Sequence, residues 1–289
     1  AWLEATDATG QEFEITFTIH AAGARRGLFT VPVSDKSDRV KAQNPACRRA
    51  TTPEWRWWVG GRKLFDPEVD LPVTQASGHI TTESLQPLCG EDQQLKLPYE
   101  TVSAVYVMTG IAIQITPDQA ISLSAEIGYM RRREANKTAI EQGVFFELVS
   151  GEGDEYYQFD IDAGLLEPSD HGYAVLQRVP KEGIWYYLVD GVERRTLFDT
   201  VWRDIAGYEV QWMGEVTHRE DKLAGEPDSR CHFTRCWYET DWNPSTIEPA
   251  NFTPADIVYY PPGSGHPGSA EWGKQFIDIR SFDIWDKDP

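Results

Sequence analysis

The chain has 289 residues, 40% of them hydrophobic and 12% aromatic, with a formal net charge of -19 at pH 7. That apolar share suffices for a sizeable core, which excludes a chain disordered along its length. The excess of carboxylate repels phosphate backbones and anionic membrane surfaces, so neither nucleic acid nor a membrane is an expected partner.

In chain order, Phe13, Ile15, Phe17 and Ile19 alternate with polar residues and predict one face of a strand. The first hundred residues hold several prolines, the basic Cys47-Arg-Arg49 and the aromatic Trp55-Arg-Trp-Trp58, and are expected to form loops and outer strands. Further strands are predicted at 104–115, 121–130, 143–150, 155–162, 172–179, 184–190, 207–218, 231–239 and 271–285, from their content of Val, Ile, Tyr, Phe and Trp. Turn signals punctuate them at Ser150-Gly-Glu-Gly153, Pro168-Ser-Asp170, Pro180-Lys-Glu-Gly183 and Asp190-Gly191. Between Leu223 and Gly268 the prolines 227, 244, 249, 254, 261, 262 and 267 disfavour ladder pairing and predict a long excursion along the rim.

This rhythm predicts an all-β fold, an antiparallel β-sandwich of jelly-roll type with long rim loops. A single domain over 1–289 is expected, its core in 101–289. The apolar run near 104–115 is too short to cross a bilayer.

The chain begins at Ala1 without a basic and apolar leader, as expected of a secreted protein after removal of a signal segment. Cys47, Cys89, Cys231 and Cys236 lack zinc-site spacing and are read as two disulfides, Cys231 with Cys236 across a tight loop and Cys47 with Cys89. Asn136-Lys-Thr138 and Asn251-Phe-Thr253 are glycosylation tripeptides.

Several chemistries need local signatures that are missing. There is no nucleophile elbow, no phosphate-cradling loop and no dinucleotide fingerprint. The histidines at 20, 79, 171, 218, 232 and 266 are dispersed, so neither a metal nor a cofactor is expected. Carboxylates remain.

Glu126 lies in Ile121-Ser-Leu-Ser-Ala-Glu-Ile-Gly-Tyr-Met130, sharing parity with Ser122 and Ser124 while Ile121, Leu123, Ala125 and Ile127 take the other face. A carboxyl on a small polar strip suits the lining of a concave sheet, and Gly128 leaves room for a substrate backbone. Glu215 lies in Tyr208-Glu-Val-Gln-Trp-Met-Gly-Glu-Val-Thr217, with Gln211 and Met213 on its side and Trp212, Gly214 and Val216 opposite.

These segments resemble neprosin-like glutamic peptidases. Glu126-Ile-Gly-Tyr129 is similar to that family's Glu-Xaa-Gly-aromatic strand, and Trp212-Met-Gly-Glu-Val216 to its Trp-Xaa-Gly-Glu-Val strand. In the same order, Gly143-Val-Phe-Phe146, Lys181-Glu-Gly-Ile-Trp-Tyr-Tyr187, Gly263-Ser-Gly-His266 and the segment from Trp272 to Trp285 resemble later family segments. The resemblance spans roughly 104–287; residues 1 to about 100 lie outside it, and the close-spaced Cys231 and Cys236 follow the second glutamate rather than lying between the two.

It implies a secreted endopeptidase active in acid, with Glu126 and Glu215 as the catalytic pair, a polypeptide substrate, and cleavage next to proline. Gln211 is a candidate oxyanion donor, and Tyr129, Trp185 and Trp212 are candidate subsite walls. The chain is expected to act as a monomer. Two rival readings remain: a jelly-roll glycoside hydrolase with two catalytic glutamates, and a noncatalytic carbohydrate-binding sandwich in which the two glutamates lie apart.

Overall fold

Short runs of β-branched and aromatic residues between turn signals pair into sheets, and apart from single-turn helices the described elements are strands. A computed structural model describes residues 2–6, 12–16, 57–82, 88, 96–97, 100–116, 119–149, 157–162, 164, 170–179, 182–203, 207–217, 221–242, 247–260 and 271–287. The chain divides into two units, Ala1–Thr51 and Thr52–Pro289. In the first, β1 (Trp2–Thr6) pairs antiparallel with β2 (Glu12–Thr16), which contains Phe13 and Ile15. Phe17, Ile19 and Cys47 lie outside the described residues.

The second unit is an all-β sandwich of two antiparallel sheets. One has the order β15-β3-β12-β5-β6-β7-β8. Its members are β3 (Trp57–Leu64), β5 (Thr101–Thr116), β6 (Gln119–Arg133), β7 (Glu141–Val149), β8 (Tyr157–Asp162), β12 (Glu209–Val216) and β15 (Ile257–Tyr260). The other runs β11-β10-β9-β4-β13-β17-β16, with β14 also paired to β13. It comprises β4 (Val73–Thr81), β9 (His171–Leu176), β10 (Ile184–Val189), β11 (Val192–Phe198), β13 (Cys231–Thr240), β14 (Ile247–Pro249), β16 (Trp272–Asp278) and β17 (Ser281–Asp286).

Period-two alternation decides what each sheet buries. Val105, Val107, Ile127, Tyr129, Phe146, Leu148, Val210 and Trp212 face the core between the sheets. Trp185 meets Trp202 edge-on at 5.1 Å, and Phe233 stacks on Phe282 at 4.7 Å. Each such buried side chain contributes about 1.5–3 kcal/mol. The alternate residues Val102, Ala104, Tyr106, Met108, Met130, Phe145 and Met213 form a second apolar cluster on the opposite face of the first sheet. That face carries the site.

Four expectations change. β3 and β4 are interior strands, β3 between β12 and β15 and β4 between β9 and β13, not outer ones. The proline-rich 223–268 segment supplies β14 and β15 and buries Ala250 and Phe252, because Pro249 ends a strand and Pro254 opens a helical turn. The closing 271–285 segment is a hairpin, β16 to β17. β11 is an added edge strand, almost wholly exposed and carrying Glu193, Arg194 and Arg195, so it shows no apolar alternation. The Asp190-Gly191 signal holds: both residues have positive φ, 52° and 76°, and close the β10–β11 hairpin.

Candidate active site

Strand register builds the site in three rows across the sheet. The first runs Trp58, Glu215, Ala104, Met130 across β3, β12, β5 and β6. The middle row is Gly60, Met213, Tyr106, Gly128, Phe145 and Ile161. The third is Arg62, Gln211, Met108, Glu126, Glu147 and Phe159. Residues directly opposite in a ladder share a face, so Glu126, Glu147 and Glu215 all project from the side away from the core.

The two predicted glutamates thus sit diagonally, two strands and four residues apart, about 13 Å along the strands and about 10 Å across them. Both line one groove, together with Glu100, Val102, Ala104, Met130, Arg132, Phe145, Glu147 and Phe159. Small Ala104 sits directly beside Glu215. Glu215 is 4% exposed, and the indole Nε1–H of Trp58 donates to its Oε2 at 2.8 Å. Glu147 is 5% exposed and stands directly across from Glu126, which is partly buried. Behind them, the Tyr187 hydroxyl donates to the Glu147 carbonyl at 2.8 Å. Burial, then the charges of Glu147 and Glu126, push that phenol well above its ordinary range, so it stays neutral.

Also lining the groove, Arg132 places its Nε 3.0 Å from Glu100 and 3.5 Å from Glu141, and its Nη2 3.0 Å from Glu134. Its guanidinium also covers the Phe159 ring at 4.6 Å. It holds one wall in place.

The remaining predicted residues sit elsewhere. Gln211 shares the face, but its amide donates to Glu209, which Arg62 also contacts, and four residues of strand separate it from Glu215. Tyr129, Trp185 and Trp212 are not subsite walls: all are at most 1% exposed in the core, and the Trp212 indole donates to the Ser77 carbonyl at 2.8 Å. Tyr129 and Trp212 have the opposite parity to the glutamates on their strands, Trp185 belongs to the other sheet, and large rings bury.

The Cys231–Cys236 disulfide is not formed. Both belong to β13, an extended strand rather than a tight loop, and both thiols are free and buried. Residues 231 and 236 are five positions apart, about 16 Å along an extended strand, well beyond the roughly 7 Å Cα limit of a disulfide. Cys89, like Cys47, is outside the described residues.

Gly128 serves a different purpose from the one expected. A Cβ there would lie 1.9 Å from the Val105 carbonyl oxygen and 2.6 Å from Tyr106 Cα, so its missing side chain admits strand β5, not substrate. Gly214 makes room on the core side for Ile284 and Leu223.

Glu147 and Trp58 were missed in the sequence. The parity reasoning applied to Glu126 also fits Glu147, an acid inside the apolar Val144-Phe-Phe-Glu-Leu148. Among the described residues no group of three or more His, Cys, Asp or Glu is arranged to hold a metal ion.

No family model matches the chain, and no curated protein matches it. Among solved structures it is similar to Scytalido-glutamic peptidase crystallised with a peptide-based transition state analogue, with a TM-score of 0.42 and 8% identity over 79% of this chain and 97% of that one.

Proposed function

We propose that the chain is a secreted endopeptidase that hydrolyses peptide bonds with Glu126 and Glu215. The observation that carries this reading is that the two glutamates picked out in the sequence share one face and one groove, Glu215 buried beneath a Trp58 hydrogen bond.

The chemistry asks for one ionised and one protonated carboxyl. The carboxylate takes a proton from water as its oxygen attacks the peptide carbonyl carbon; the carboxylic acid gives its proton to the departing amide nitrogen as the C–N bond breaks. The pair ends with protonation states exchanged, and solvent resets it. Two carboxyls in one groove resist ionising together, so activity is expected to peak in acid. An extended polypeptide laid over the middle row, above Tyr106 and Phe145, meets both groups. Cleavage beside proline and export from the cell follow from the sequence resemblance.

The test is proteolysis of an unfolded protein and of proline-containing peptides by wild type, Glu126→Gln and Glu215→Gln between about pH 3 and 7, the range of carboxyl titration. Loss of at least a hundredfold in each variant is expected. Full activity in both variants refutes the reading. Cleavage of polysaccharide but not of peptide moves the same pair to glycoside hydrolysis.

A further inference from the structure

We infer that the depression over Ala104, beside Glu215, is a subsite for one large apolar side chain of a polypeptide substrate, and that Ala104 sets the size it accepts. The inference rests on the peptidase reading for the identity of its occupant. Ala104 stands at the centre of a cross of larger residues. Glu215 and Met130 oppose it on β12 and β6, and Val102 and Tyr106 lie two residues away on either side along β5, on the same face. The side chains of all four extend past the Cβ at which alanine ends. Ala104 lines the groove yet is only 2% exposed, so it forms floor and not rim.

Strands β12 and β6 are two ladder spacings apart, about 10 Å, a span that takes one substrate side chain between Glu215 and Met130. The walls are apolar. Val102, Met130 and Phe145 line the groove and belong with Ala104 to the apolar cluster on this face. The Met130 thioether is flexible and polarizable, so this wall adapts to aliphatic and aromatic partners alike. Arg132, directly opposite Val102, is engaged by Glu100, Glu134 and Glu141. A depression that is apolar, with a polar group at its edge, binds by burying the apolar part of its ligand and orienting the rest. Here the group at the edge is Glu215, so the buried side chain holds its own residue against that carboxyl.

Methyl carbon-13 labelling of methionine in the full chain tests the subsite without turnover. The chain has three methionines, Met108, Met130 and Met213, all in the apolar cluster of this face, and Met130→Leu assigns the signal of interest. The probes are capped Gly-Gly-Xaa-Gly-Gly peptides with Phe, Leu, Ala, Gly or Lys at the centre, titrated into Glu126→Gln so that none is consumed. The Phe and Leu peptides are expected to shift the Met130 methyl signal saturably and to bind at least about 10-fold more tightly than the Ala peptide. The Gly and Lys peptides leave the signal in place. Ala104→Val raises the floor and Ala104→Gly lowers it, so the ratio of Phe to Ala affinity falls in the first and rises in the second, each by about 10-fold. If the Val variant does not fold, the Gly variant decides. A Met130 signal unmoved by Phe and Leu, a Lys peptide that shifts it as far as Leu, or a ratio unchanged in the folded variants overturns the inference.

If wild type cleaves no peptide, the peptidase reading fails while the titration still decides the subsite. In an active enzyme, kcat/KM over longer peptides that vary at one residue beside the cleaved bond rises from Gly to Leu, and Ala104→Val moves the optimum to a smaller residue. An optimum that does not move overturns the part assigned to Ala104.

Discussion

Trp58 Nε1 donates a 2.8 Å hydrogen bond to Glu215 Oε2 from the strand directly beside it. An indole N–H is donor only, so it fixes which way the carboxyl turns. A hydrogen bond to a charged group contributes about 1.5–3 kcal/mol, and each 1.36 kcal/mol is tenfold in rate. Trp58→Phe keeps the ring and loses the donor. It is expected to lower kcat/KM on a peptide substrate by about 10- to 100-fold while the protein stays folded by circular dichroism. Unchanged kcat/KM removes Trp58 from the site.

The two glycines near the glutamates in sequence, Gly128 and Gly214, differ in what they protect. At Gly128 an added methyl meets backbone, the Val105 carbonyl oxygen at 1.9 Å. At Gly214 it meets side-chain ends, Ile284 Cδ1 at 2.4 Å and Leu223 Cδ1 at 2.9 Å, which have room to rotate. Overpacking costs about 1–3 kcal/mol where neighbours yield, and strand backbone does not. Urea unfolding should therefore show Gly128→Ala as the more destabilised variant, by at least about 1 kcal/mol. The reverse order contradicts the register between β5 and β6.

Much of the sheet carrying the site was legible because β5, β6, β7 and β12 have apolar cores with clear alternation, and parity alone put Glu126 and Glu215 outside the packed face. What parity cannot supply is the neighbour. Nothing local says that β12 and β6 flank β5, or that Glu147 faces Glu126 across a ladder; those are long-range pairings. β3 escaped detection because Gly60, Gly61, Arg62 and Lys63 break its apolar pattern, although Gly61 is needed where Phe252 and Phe282 press against it. The rings of Tyr129, Trp185 and Trp212 stood near the motifs in sequence, yet alternation sends two of them to the opposite face from the adjacent glutamate and the third to the other sheet.

Cys231 and Cys236 lie five positions apart on one strand, which a bulge bends at Arg235, where φ is 50°. That bulge turns both thiols inward despite their opposite parity. Burial pushes both thiols far above the ordinary range, so neither carries reactive thiolate near neutral pH. Under native conditions neither should react with a thiol reagent such as Ellman's; both should react after denaturation without reductant. Mass spectrometry of a differentially alkylated digest checks each residue. A peptide in which Cys231 and Cys236 are joined refutes the strand geometry.

Asp190 links the β10–β11 turn to β9, accepting from the Gly172 N–H at 2.9 Å and contacting His171 Nδ1 at 2.8 Å. Burial works to raise its carboxyl, but the Gly172 and His171 hydrogen bonds and the charge of His171 outweigh it and hold it below the ordinary carboxylate range. A folded-state value below the unfolded one means stability present above the unfolded value and lost as pH falls through the folded value. Asp190→Asn tolerates the positive φ of 52° and removes only the charge. The side chain is 50% exposed, so solvent screening keeps the contribution to a fraction of a kcal/mol. Urea unfolding midpoints of wild type and Asp190→Asn should differ near pH 6, with wild type higher, and converge below the unfolded carboxyl value of about 3.9. A gap that persists undiminished to pH 2 shows that the Asn variant acts through packing, not through charge.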